Sequence, residues 1–140
     1  MSLPVDLSNH FRHQLGKKNI DLETDSFFCC LMISEFVFDR DTHQAYGDVS
    51  AHEVPAGNGY ITGGQALVGT YSQDNDADRA ILDFAPFTWT ASGGDIANIG
   101  GILVYDVTAS NKIAFFGSFG GAVLVPEGLS LDITGVGLEL

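Results

Sequence analysis

The chain has 140 residues, enough for one domain that buries a hydrophobic core without disulfide or metal staples. Its 18 Asp and Glu against 6 Lys and Arg give a formal net charge of −12, which disfavours general binding to nucleic-acid phosphates or adsorption to anionic membranes. A hydrophobic fraction of 45% with 11% aromatics excludes a disordered chain, and 17 Gly against 4 Pro point to tight turns between short elements.

The amino-terminal Met-Ser-Leu-Pro-Val-Asp lacks the basic start and apolar stretch of a secretory signal, so synthesis in the cytoplasm is expected. Leu7, Phe11 and Leu15 recur at i, i+4 and i+8. That spacing predicts one short helix over about 5–16, capped by Asp6 or Ser8 and closed at Gly16. Phe27 to Ile33 is a continuous apolar run and predicts a strand buried on both faces, far too short to span a bilayer. Cys29 and Cys30 are adjacent within it, so they point to opposite faces and form no mutual disulfide; a reduced, buried pair is expected. Glu35 to Phe38 is a short apolar piece broken by Asp39-Arg40-Asp41. Ser50-Ala51-His52-Glu53 matches a capping box and predicts a helical turn near Val49 to Val54.

After the loop signal Pro55-Ala56-Gly57-Asn58-Gly59, strands are predicted at Gln65–Tyr71, Ala80–Phe84, Phe87–Thr90, Ile99–Val107, Ile113–Phe119, Ala122–Val125, Leu129–Thr134 and Val136–Leu140. Short, evenly punctuated strands without alternating long helices predict a mainly β fold. The expectation is a single antiparallel β-sandwich over residues 1–140, jelly-roll-like, with one short amino-terminal helix. Its core is expected to hold Phe27, Leu31, Ile33, Phe36, Leu67, Ile81, Phe84, Trp89, Ile102, Val104, Phe115 and Ile133.

Chemistry-bearing motifs are scarce. Asp74-Asn75-Asp76-Ala77-Asp78 alternates carboxylates as a calcium loop does, but Arg79 and Ala85 stand where that loop requires Gly and Glu. The cluster reads as a solvated hairpin turn. His10 and His13 share a helix face without a third zinc ligand, and His43 and His52 have no partner motif. There is no nucleophile elbow, no electropositive cysteine setting, and no dinucleotide or phosphate fingerprint among Gly57, Gly59, Gly63 and Gly64. No catalytic residue, metal or cofactor is therefore assigned, and the chain is expected not to be an enzyme. Trp89, with Tyr60 and Tyr71, is weighed as an exposed stacking platform for a sugar or flat ligand, against the simpler reading of Trp89 as core.

The glycine-bounded stretch Ile113 to Val125 carries Phe115, Phe116 and Phe119 without a charge. One face of such a strand enters the sandwich, and the other is expected to be covered by a neighbour. Phe115, Phe116, Phe119 and Val123 are accordingly expected to form a homo-oligomer or particle interface.

Several motifs follow one another in a recognisable order: Asn19-Ile20-Asp21-Leu22-Glu23-Thr24-Asp25, Asp48-Val49-Ser50-Ala51-His52-Glu53-Val54, Gly57-Asn58-Gly59-Tyr60 and Gly63-Gly64-Gln65-Ala66-Leu67. Asp74-Asn75-Asp76-Ala77-Asp78-Arg79-Ala80, Phe87-Thr88-Trp89-Thr90 and Gly101-Ile102-Leu103-Val104-Tyr105-Asp106 complete the series. The order resembles a family of small tailed-bacteriophage virion proteins encoded among head and tail structural genes. The resemblance implies a virion location and a capsid decoration (cement) role, with the major capsid protein or another virion protein as partner. It further implies a trimer. A neck, tail or fibre component, or a receptor- or carbohydrate-binding module of the virion, is the alternative.

Overall fold

A computed structural model describes residues 4–140, and it is mainly β, with every strand pairing antiparallel. The strands are β1 (Asp6–Leu7), β2 (Phe27–Ile33), β3 (Gln65–Ala66), β4 (Gly69–Asp74), β5 (Arg79–Phe84), β6 (Phe87–Thr90), β7 (Ile96–Asp106), β8 (Lys112–Val125), β9 (Ser130–Ile133) and β10 (Gly137–Glu139). Helix α1 spans Asn9–Gly16, and the turn α2 spans Tyr46–Val49 and continues as a 3-10 turn over Ser50–His52. A five-stranded sheet in the order β1-β8-β7-β2-β3 packs against a three-stranded sheet, β10-β5-β4, and a two-stranded one, β6-β9.

The long β7–β8 hairpin and β2 form the middle of the large sheet, because β2 is apolar throughout and β7 and β8 carry the long apolar runs Ile102–Tyr105 and Ile113–Phe116. Alternation then sends consecutive residues to opposite faces. Cys29, Leu31, Ile102, Val104 and Phe115 face inward, where they meet Leu82, Phe84, Trp89, Ile133 and Leu138 from the two smaller sheets. Cys30, Met32, Leu103, Tyr105, Ile113 and Phe116 face outward into a second buried cluster. Both cysteines are free and buried, one in each cluster. The inward pair Ala114 and Phe115 sits at a register shift between Val104 and Tyr105, which lets two consecutive β8 residues share the inner core.

The outward cluster is closed by residues 34–54 of the same chain. Phe36 and Val49 are buried there, and Phe38 and Tyr46 pack partly against them. The short apolar piece Glu35 to Phe38 is thus a cover over the sheet, with no strand of its own.

Local departures from the sequence reading have physical causes. Helix α1 starts at Asn9 because Asp6 and Leu7 pair with Phe116 and Phe115 at the sheet edge. Its left-handed closing residue is Lys18, at φ 64°, and Gly16 is the last helical residue. The predicted strand Gln65–Tyr71 splits into β3 and the start of β4, with Val68 exposed between them. Gly120-Gly121 lies in a bulge within β8, where a turn was expected. Of the expected core, Ile33, Leu67 and Ile81 are half-buried and the other residues are buried.

Trp89 is 5% exposed, edge-on to Phe87 at 5.6 Å and tilted against Tyr60 at 6.1 Å. Replacing it by Ala leaves a large cavity between the two-stranded sheet and the core. Trp89→Ala should destabilise the fold by about 3–5 kcal/mol in urea unfolding, and a loss below about 1 kcal/mol would contradict this packing.

Candidate functional site

The outer cover of the large sheet is irregular chain, so its backbone needs partners that strands would otherwise supply. β3 pairs with β2 only at Phe28 and Cys29. Beyond that point the edge of β2 is satisfied by the cover: Val54 N donates to Leu31 O at 2.9 Å, and Leu31 N donates to the Tyr60 hydroxyl at 2.9 Å. The Tyr60 hydroxyl in turn donates to Glu53 Oε2. The Tyr46 hydroxyl donates to Glu53 Oε1, and Gly63 N donates to Oε2 at 2.7 Å. Tyr105 donates to Gly63 O at 2.6 Å and stacks on the Tyr46 ring at 4.8 Å.

Glu53 therefore gathers three donors from two separate parts of the chain, the α2 turn and the loop of residues 60–63. Gly64 makes the approach possible: it sits at φ +81°, and a Cβ there would lie 1.8 Å from Cys29 O. Burial, above all, pushes the Tyr46, Tyr60 and Tyr105 hydroxyls above the ordinary tyrosine range, with Glu53 and Cys30 adding to the rise. The three remain proton donors at ordinary pH. Every hydroxyl in the group is engaged, so the arrangement fastens the cover to the sheet.

Beside this knot, Phe36 lies between His43, stacked at 5.5 Å, and His52 at 5.7 Å, with Phe116 edge-on at 5.1 Å. His43 Nδ1 accepts the Asp39 N–H at 3.0 Å, which places the ring proton of neutral His43 on Nε2. These histidines, which carry no motif in sequence, serve as the rim of the aromatic cover. His10, on α1, is half-buried, and burial followed by Lys112 and His13 holds its pKa below the ordinary range.

The acidic turn is a hairpin between β4 and β5. Asp74 Oδ1 accepts the Asp76 and Ala77 N–H groups, and Asp78 takes φ 53°. Arg79 closes it, with Glu139 at 2.7 Å and Asp74 at 3.5 Å. Among the described residues no three His, Cys, Asp or Glu side chains converge as a metal site.

Of the two readings weighed for Trp89, core packing holds, and the exposed platform with Tyr60 and Tyr71 is corrected. Trp89 and Tyr60 are buried, at 5% and 2% exposure, because they fill the end of the sandwich core. Tyr71 is exposed on β4, in a groove with Asp74, Arg79 and Leu140, and takes no part in that cluster.

The expected interface divides. Phe115 is fully buried in the inner core and Phe116 is buried under Phe36 and Phe38, so neither presents a surface. The error lay in assuming that the second face of β8 lacked a cover within the chain. Phe119 and Val123 are half-buried, and the rim around them is open. β1 flanks β8 only at Phe115 and Phe116, so from Ser118 to Leu124 that edge has no strand beside it among the described residues. On the β7 side, the single residue Gly100 lies opposite Phe119 to Ala122, which form a bulge. Leu124 is 54% exposed there. The surface Ser118–Leu124 is thus apolar, glycine-containing and uncharged.

No protein-family model, curated protein or solved structure matches the chain. Among the described residues, no helix is long and apolar enough to cross a membrane.

The Glu53 group makes an unequal pair of tyrosines. Tyr60→Phe removes one donor from Glu53 and leaves the buried Leu31 N–H without its acceptor, whereas Tyr46→Phe only removes one donor from Glu53. Tyr60→Phe should cost about 1–3 kcal/mol and exceed Tyr46→Phe in thermal or urea unfolding. Equal effects would show that Leu31 N finds water or another acceptor.

Proposed function

We propose that this chain is a non-enzymatic structural module of a bacteriophage particle, a capsid decoration (cement) protein that acts as a homo-oligomer on the assembled shell. The motif series described above supports the particle assignment. The observation that carries the assembly reading is the open β8 rim, Ser118 to Leu124. A chain of net charge −12 repels its own copies over most of its surface. At this rim no charge opposes contact, and Phe119, Val123 and Leu124 supply apolar area that association would remove from water.

The engagement of the tyrosine–glutamate group in fastening the cover supports a role in binding over one in catalysis. Association multiplies weak contacts to a repeating shell, so an oligomer holds a lattice of major capsid protein far more tightly than one copy does. The trimer follows from the resemblance and from the three-fold positions of such shells.

Two measurements check this. Light scattering after size exclusion should give three times the chain mass, and Leu124→Asp, an exposed position outside the core, should return the monomer without loss of folding. A well-behaved wild-type monomer would remove the oligomer. Quantitative mass spectrometry of purified particles should find the chain at copy numbers of the same order as the major shell subunit. A few copies per particle would favour the neck, tail or fibre alternative instead.

A further inference from the structure

β7 ends at Asp106, whose side chain is fully buried. Oδ1 accepts the Ala109 N–H at 3.1 Å, inside the turn to β8. Oδ2 is buried as well and receives no N–H donor. The group beside it is the carboxyl of Asp25, at the end of the segment that leads from α1 into β2.

The surroundings offer no counter-ion. On the Asp25 segment the other ionisable groups are Asp21 and Glu23, both acidic. Asp21 Oδ1 is occupied by the Glu23 and Thr24 N–H groups, and Asp25 Oδ2 accepts Asp21 N at 3.1 Å. Lys112 is paired with Asp106 across the β7–β8 ladder, but its Nζ turns to Ala109 O at 3.2 Å. Two ionised carboxylates in this setting would repel each other and leave Oδ2 without a partner. One proton between them resolves both problems, because the protonated carboxyl donates to its neighbour.

We propose that Asp25 and Asp106 share a single proton in the folded protein, and that its release to solvent as pH rises through neutrality loosens the junction between residues 19–26 and the β7–β8 turn. The rest of that junction is slight: Val107 N donates to Ser26 O, and Ser26 N to Thr108 Oγ1, each at 2.9 Å. The inference stands apart from the particle reading and does not depend on it.

Burial, followed by the Asp25 carboxyl, pushes Asp106 up to about 7 from an ordinary 3.8. Between those values the folded chain holds a proton that the unfolded chain has released. Stability therefore falls as pH rises through that window and levels off above it.

The direct test is a carboxyl ¹³C titration of the full chain, joined to thermal melts of wild type, Asp106→Asn and Asp25→Asn near pH 5.5 and pH 8.5. Asp106 should titrate near neutrality, and the wild-type Tm should drop by several degrees between the two conditions. Asp106→Asn keeps an acceptor for Ala109 N–H and supplies an N–H to Asp25, so most of that drop should disappear. An Asp106 carbon titrating in the ordinary aspartate range would overturn the proposal, as would variants that keep the full wild-type drop. Calcium chloride that restores the wild-type Tm near pH 8.5, but acts on neither variant, would assign the pair to a cation and overturn the shared proton.

Discussion

The central sheet is apolar on both faces, and every other part of the molecule answers that condition. A strand such as Phe27–Ile33 cannot leave either side in water, since Cys29 and Leu31 face one way and Cys30 and Met32 the other. The inner face takes the smaller sheets, as in any sandwich. The outer face has no third sheet to meet it, and the chain supplies residues 34–54 instead. At about 25 cal/mol per Å² of apolar surface, leaving Phe116, Leu103 and Ile113 uncovered would cost several kcal/mol, a large share of a domain's net stability.

Covering a sheet with irregular chain has its own cost in backbone groups. The segment spans a helical turn, a 3-10 turn and loops, none of which forms a regular ladder with β2. Tyr60 meets this by lending its hydroxyl to Leu31 N, where β3 has already ended. Glu53 then binds that hydroxyl, the Tyr46 hydroxyl and Gly63 N together, so the α2 turn and the loop of residues 60–63 are tied to one carboxyl. Because the group is shared, weakening one arm leaves the others imperfectly placed, and its energy is not a sum of separate bonds.

The same logic explains what could be read from sequence and what could not. Period and run length reveal which residues want burial, so β2 was legible to the residue and the two cysteines were rightly placed on opposite faces. Partners distant in sequence are invisible to such patterns. Leu7 continues the helical spacing of Phe11 and Leu15, yet pairs with Phe115 because the sheet edge needs a strand there. Glu53 satisfies the local pattern of a capping box, but Tyr60 and Gly63 claim its carboxyl, and Asp48 takes the backbone at the start of α2. Phe116 advertised an apolar outer face correctly. That Phe36 and Phe38 would cover it depended on a loop path that no periodicity encodes.

Once the outer face is closed from within, the proposed self-association is left with the point where coverage stops. Residues 34–54 shelter β8 as far as Phe116, and β1 guards its edge over the same length. Beyond Gly117 the strand outruns both, and there Gly120, at φ +80°, lets the backbone swing into a bulge. A bulge interrupts a flat edge and discourages indiscriminate strand pairing, which an uncharged run of this kind would otherwise invite. Beside the bulge, Phe119 and Val123 stay half-buried against the core, and Leu124 stands exposed. For the oligomer proposed above, docking on such a surface would demand a particular orientation, and it would close into a defined assembly only where that orientation repeats as a closed rotation.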